Sequence, residues 1–138
     1  MNANQRRYKN GMTETELNAL TEKIIACAFK VLNTLGPGFL EKVYENALAH
    51  ELRKAGFKVA QQTPLAVIYD GINVGDYSPD LLVEDVVIVE LKATQNHHDR
   101  FDACCLNYLA VTHLPICLLL NFGKPRLGIQ RFVGPEFK

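Results

Sequence analysis

The chain has 138 residues, 48% of them hydrophobic and 22% charged, with a formal net charge of zero. That length fits one domain with a core large enough to fold without cross-links. The charge balance does not support bulk attraction to nucleic acid, which needs an excess of Lys and Arg, but it leaves a local basic cleft open. The longest apolar run, Leu114 to Leu120, falls far short of the ~20 residues of a membrane span, so no membrane partner is expected. The four cysteines (Cys27, Cys104, Cys105 and Cys117) make no C-x-x-C pair, and the polar opening MNANQRRYKNG does not read as a signal peptide. These features point to a reducing cytoplasm and to thiols that are mostly buried.

Residues 1–12 read as a flexible, basic tail and residues 13–138 as a single domain. Thr13-x-x-Glu16 is a capping box that starts a helix. Leu17, Leu20, Ile24, Ala28, Val31 and Leu35 follow at helical spacing, until Gly36-Pro37-Gly38 stops it. A second helix spans about Leu40 to Ala55, with Val43, Ala47, Leu48 and Leu52 on its apolar stripe and Gly56 as its stop. Short β-rich runs come next: Phe57 to Gln61, Pro64 to Tyr69 and Val74 to Tyr77. Asp70-Gly71 forms a hairpin turn between the last two. Asp80 to Glu84 and Val86 to Lys92 are two further strands. The second is so evenly apolar that it belongs in the middle of a sheet. A third helix covers about Asp99 to Val111, and strands from Ile116 to Phe122 and Leu127 to Val133 close the chain. The order α-α-β-β-β-β-β-α-β-β describes one α/β sheet with helices packed on it.

The chemistry concentrates in Asp80 and Glu90-Leu91-Lys92. Alternate strand residues face the same way, so Glu90 and Lys92 project together and Leu91 projects away. Charges entering an apolar strand are costly unless they are paired or bind an ion. A tight turn near Glu84-Asp85 would bring Asp80 beside Glu90. Two carboxylates there could hold Mg²⁺, a hard cation that takes oxygen ligands, and Lys92 could orient a water or stabilise charge on a phosphate. The plainer reading is an ion pair at the solvent end of a strand, with Asp80 a turn residue after Pro79.

Gly38-Phe39-Leu40-Glu41-Lys42-Val43-Tyr44 resembles the motif that names the GxxExxY protein family. The resemblance continues through Leu35-Gly36-Pro37-Gly38, Glu45-x-x-Leu48-x-x-x-Leu52-x-x-x-Gly56 and Asp80-Leu81-Leu82-Val83. It extends to Val89-Glu90-Leu91-Lys92, Leu106-Asn107-Tyr108-Leu109 and Leu120-Asn121-Phe122-Gly123, spanning roughly residues 20 to 133. That family is placed in the PD-(D/E)XK nuclease superfamily. The resemblance implies a restriction-endonuclease-like core, a central mixed β-sheet flanked by α-helices, and metal-dependent phosphodiester cleavage. Asp80 matches the superfamily aspartate, and Glu90 and Lys92 match its E-x-K. Many members add a glutamate from the first core helix. Here Glu41, in the family motif, and Glu45, with the spacing of archaeal Holliday-junction resolvases, both qualify; one turn apart, they share a face. Glu45 is favoured slightly, and a solvated helix face is the plainer reading for either. Two departures stand out. Cys104 replaces a glutamine that related nucleases use near the site, and a thiol is a weak hydrogen-bonder. Leu32 replaces a common histidine, a difference of packing.

The resulting expectation is a Mg²⁺- or Mn²⁺-dependent nuclease, on DNA ahead of RNA, with Asp80, Glu90 and Glu45 as metal ligands and Lys92 serving the attacking water. The alternative is an inactive nuclease-fold domain that binds nucleic acid or a protein partner, favoured by Cys104 and the neutral charge. Arg100, Lys124, Arg126 and Arg131 are candidate phosphate contacts, as are Arg6, Arg7 and Lys9, against the plainer reading of a solvated face. His97 and His98 lack zinc partners at usable spacing and read as a polar loop. Cys104-Cys105 reads as buried helix packing, and Tyr44 and Tyr108 as core. A homodimer is compatible with so small a domain, which must otherwise cover a long substrate alone.

Overall fold

In the computed structural model the described residues are 11–138. The expected tail, with Arg6, Arg7 and Lys9, lies almost wholly outside them. Helix α1 (Glu14–Leu35) begins with the capping box: Thr13 Oγ1 accepts from the Glu16 N–H at 3.1 Å, and the Glu16 carboxylate accepts from the Thr13 N–H at 3.2 Å. Two otherwise orphaned amides are satisfied in this way. Helix α2 (Glu41–Lys54) follows the Gly36–Gly38 turn. Its buried stripe is Tyr44, Glu45, Leu48, Ala49 and Leu52: Leu48 and Leu52 are buried as expected and Ala47 is half-buried, but Val43 is exposed. The helix is rotated because Tyr44 is its anchor. The Tyr44 ring stacks on Phe122, and its hydroxyl donates to Gly36 O at 2.6 Å and accepts from the Phe39 N–H at 3.1 Å. Gly38 sits at φ 110°, where a side chain would strain the backbone. The glycine and tyrosine of the motif together set where α2 starts.

The strands are β1 (Val59–Gln61), β2 (Leu65–Tyr69), β3 (Ile72–Tyr77), β4 (Leu81–Val83), β5 (Val87–Lys92), β6 (Ile116–Asn121) and β7 (Gly128–Val133), with α3 (Asp99–Thr112) between β5 and β6. Each matches an expected element to within a residue or two. A short 3-10 turn at Pro135–Phe137 was not anticipated. One sheet runs β1-β4-β5-β6-β7, with β5 and β6 parallel and the other pairs antiparallel, and β2–β3 forms a separate hairpin. Asp70 and Gly71 both take positive φ, as do Glu84 and Asp85, the geometry of tight hairpin turns. The second turn carries no glycine and is held from outside. The Lys58 N–H donates to Glu84 Oε2, and Lys58 Nζ pairs with Asp85, both at 2.6 Å.

Alternation sorts β5 between two cores. Val87, Val89 and Leu91 pack with α1 and α2, while Ile88 packs with Cys105 and Leu109 of α3. β5 is thus covered on both faces, as its apolar run requires. Cys105 and Cys117 are buried and Cys27 is half-buried, but Cys104 is exposed, which corrects the expectation for it. Only a narrow stripe of α3 faces the sheet, and Cys104 lies a quarter turn off it. Among the described residues no helix is long and apolar enough to cross a membrane.

Candidate active site

The tight turn at Glu84–Asp85 sets the register Leu81↔Val89, which carries Asp80 opposite Glu90. The Asp80 N–H points to Glu90 Oε1 at 3.3 Å, and Asp80 Oδ2 accepts from the Leu91 N–H at 2.8 Å. Both carboxyls stand at the carboxyl end of the parallel pair β5–β6, where open α/β sheets commonly bind ligands. Burial pushes the Glu90 carboxyl up to about 7, and the neighbouring Asp80 adds to the rise. Tyr77 opposes it by donating its hydroxyl to Glu90 Oε1 at 2.5 Å. The tyrosine is itself buried and stacked on Tyr108. Lys92 shares the face of Glu90, but the two form no ion pair within 4 Å. Its ammonium lies 4.6 Å from the centre of the Phe101 ring, in cation–π range. The solvent-end ion pair is therefore not what the strand makes.

Helix α2 delivers its glutamates to the same end of the sheet. Glu45 is 4% exposed, so it does not belong to a solvated face. Burial pushes its carboxyl up, but hydrogen bonds from Lys42, Gln61 and Gln62 outweigh this and leave it below its ordinary value. Lys42 Nζ and Gln61 Nε2 reach Glu45 Oε2 at 2.9 and 2.7 Å. The Gln62 amide lies between two acids. Its Nε2 donates to Glu45 Oε1 at 2.8 Å and to Asp80 Oδ1 at 3.0 Å. Gln62 holds this position at φ 54°, an uncommon conformation for a non-glycine residue and one that clusters at functional sites. Glu41, a turn earlier, reaches solvent. Partial burial raises its carboxyl and Asp80 and Glu45 raise it further, while Lys92 and a hydrogen bond from the Ala93 N–H pull it down. Both helix glutamates therefore face Asp80.

Sequence reasoning missed Gln61, Gln62 and Tyr77. Nothing in the local pattern marks the glutamines. Tyr77 had a signal, since a phenol buried beside a sheet needs a hydrogen-bond partner. Another unforeseen arrangement fixes the backbone just past Lys92. Asn121 Oδ1 accepts from the Thr94 N–H at 3.1 Å and the Gly123 N–H at 2.9 Å, and its Nδ2 donates to Thr94 O at 3.0 Å. Gly123 packs so closely that a Cβ there would fall 2.1 Å from Thr94 O.

The remaining candidates separate by face. Lys124 and Arg126 line a cavity beside the site together with His97. Arg100 stands in the first turn of α3, its guanidinium 5.7 Å from the centre of the Phe101 ring. Arg131 pairs in register with Leu118 and bonds Asn18 of α1 at 2.7 Å, on the opposite face of the sheet from Glu90. His97 does have neighbours: its ligating atom and those of Asp99 and Asp102 lie within 4.8 Å of one another. His97 and Asp99 are exposed and Asp102 is half-buried, and the sequence reading that the histidine lacked partners is corrected to that extent. Cys104 lines a small cavity of about 70 Å³ with Glu90, Lys92 and Tyr108, so a thiol occupies the neighbourhood of the acids.

Residues 18–132 match the family model of the PD-(D/E)XK nuclease superfamily. Among solved structures, an alkaline exonuclease (LHK-Exo) from Laribacter hongkongensis is similar over 84% of this chain and 83% of its own, at 13% identity and a TM-score of 0.47. None of the curated proteins matches the chain. The family match covers most of the chain, and the mixed sheet, the hairpin that pairs Asp80 with Glu90 and the flanking helices accord with it: this chain belongs to the PD-(D/E)XK nuclease superfamily.

Proposed function

We propose that the protein is a divalent-metal-dependent nuclease that hydrolyses phosphodiester bonds, with DNA as its first substrate class. One observation carries the reading: Asp80, Glu90, Lys92 and the two glutamates of α2 converge at one end of the sheet. The donor set suits a hard cation. Oxygens of Asp80 and Glu45 converge on a single amide NH₂, and burial and the adjacent Asp80 push the Glu90 carboxyl up to about 7, outweighing the pull of Tyr77 and Lys92. Asp80, Glu90 and Glu45 would hold Mg²⁺ or Mn²⁺. When bound, such an ion polarises the phosphodiester and lowers the pKa of water.

The chain's own groups do the rest. Lys92, free of any carboxylate within 4 Å among the described residues, orients the attacking water and stabilises charge on the phosphate. Glu41, close enough to feel both Lys92 and Asp80, is the alternative helix glutamate for this site. Tyr77 holds the Glu90 carboxyl in place from behind. Membership of the narrower GxxExxY family, a cytoplasmic setting and a homodimer belong to the same proposal. The first is supported by Gly38 and Tyr44, whose geometry explains their place in the motif.

The test is cleavage of labelled DNA and RNA, including branched duplexes, with Mg²⁺, Mn²⁺ or EDTA. Glu90→Ala, Lys92→Ala, Glu41→Gln and Glu45→Gln proteins are run beside the wild type. The reading expects metal-dependent cutting that Glu90→Ala and Lys92→Ala abolish. No cutting and no metal binding would favour a non-catalytic domain on this fold, the reading that Cys104 beside the acids supports.

A further inference from the structure

Strand register extends the α3 face of the sheet away from the acids. Glu90 pairs with Leu119, and Leu119 with Gln130; Lys92 pairs with Asn121, and Asn121 with Gly128. Neighbouring strands lie ~4.8 Å apart, so Gln130 sits roughly 10 Å from Glu90 across the sheet. At this distance His97, in the loop before α3, and the β6–β7 hairpin border an open cavity of about 280 Å³. Its wall at Leu119 is shared with the smaller cavity that holds Glu90 and Lys92. Aromatic contacts join the two: Lys92 lies over Phe101, and Phe101 meets the His97 ring edge-on at 6.1 Å.

The lining is chemically divided. Leu119 supplies an apolar floor and His97 a flat wall, while Gly128 adds no side chain and keeps the space open. Asn121 is rigid, because its amide is committed to Thr94 and Gly123. Gln130 makes no side-chain hydrogen bond among the described residues, and Lys124 and Arg126 have no carboxylate within 4 Å there. A flat apolar slot takes the face of a base, a free amide reads its edge, and two unpaired cations take a phosphate. The volume, about 280 Å³, lies just below the ligand-pocket range of ~300–1,000 Å³, a size that suits one nucleotide.

We propose that this cavity holds one unpaired nucleotide of the substrate strand, next to the scissile phosphate, so that the protein prefers unpaired strands to duplex. The inference rests on the nuclease reading. It is tested by fluorescence anisotropy with labelled oligodeoxythymidylate and a blunt duplex hairpin, in EDTA and in Ca²⁺, alongside the cleavage assay. The wild type binds the single strand at least about tenfold tighter than the duplex. Lys124→Ala/Arg126→Ala, both at exposed positions, weakens single-strand binding about tenfold and lowers the salt slope by about 1–2. Gly128→Val, which adds a side chain on the cavity wall against Asn121 (a Cβ there lies 3.2 Å from Asn121 Cβ), removes the single-strand preference, with thermal melting checking that the fold persists. Equal affinity for both probes, wild-type binding by the Lys124→Ala/Arg126→Ala protein, or no binding by the wild type overturns the proposal. Binding with these losses but no cleavage sinks the nuclease reading alone. Cleavage with both variants unaffected on the single strand sinks the cavity alone.

Discussion

Replacing Glu90 by glutamine should make the metal-free protein more stable at alkaline pH. The carboxyl rises from an ordinary 4.5 to about 7 in the folded state, first through burial and then through Asp80. Below pH 4.5 Glu90 is protonated in both folded and unfolded chains, and the shift costs nothing. Between pH 4.5 and 7 the unfolded chain gives up this proton first, so stability falls as pH rises, and the loss is complete above the folded pKa. At ~1.4 kcal/mol per pH unit the full loss is about 3 kcal/mol. The Glu90→Gln side chain keeps the size and still accepts from the Tyr77 hydroxyl, but it carries no titrating charge. The gain of the variant over wild type should therefore grow from pH 5 to pH 8.5 and approach 3 kcal/mol, several degrees in Tm for a domain of this length. Urea melts of both proteins in EDTA at a series of pH values measure it, because other titrating groups cancel in the difference. A gap that stays flat with pH, or a variant less stable than wild type at pH 8.5, would refute the reasoning. Excess Mg²⁺ should close the gap by stabilising only the wild type.

Gln62→Ala leaves the facing oxygens of Glu45 and Asp80 without their shared donor. The metal-free protein should lose about 1–2 kcal/mol, and Mn²⁺ should raise its Tm more than that of the wild type, because a cation takes over the role of the amide; equal shifts in a thermal melt would count against this. Gly123→Ala drives a methyl group into Thr94 O and should cost about 2–4 kcal/mol, read as a lower midpoint in urea. Tyr44→Phe keeps the stack on Phe122 but removes two hydrogen bonds to the Gly36–Phe39 turn, for a loss of about 1–2 kcal/mol by the same measurement.

Much of this architecture was legible because its causes are local. The Thr13 capping box, the Gly36 and Gly56 stops, the Asp70-Gly71 turn and the apolar run from Val86 each act within a few residues, so each leaves a sequence pattern. Strand alternation alone put Glu90 and Lys92 on one face, and a single tight turn was enough to pair Asp80 with Glu90. What the pattern did not contain was the rotation of α2 about its axis. That is set by Tyr44 stacking on Phe122, a contact across most of the chain, and it turns Glu45 inward while leaving Val43 outside. Gln61 and Gln62 could not be singled out, because their role depends on α2 lying against the end of β1 and β4. The face of Arg131 depends on register with β6, and the exposure of Cys104 on how α3 rolls on the sheet. Short-range geometry is written residue by residue. The meeting of side chains from α2, β1, β4 and β5 is decided only when both layers pack against one sheet, since that packing alone fixes their distances.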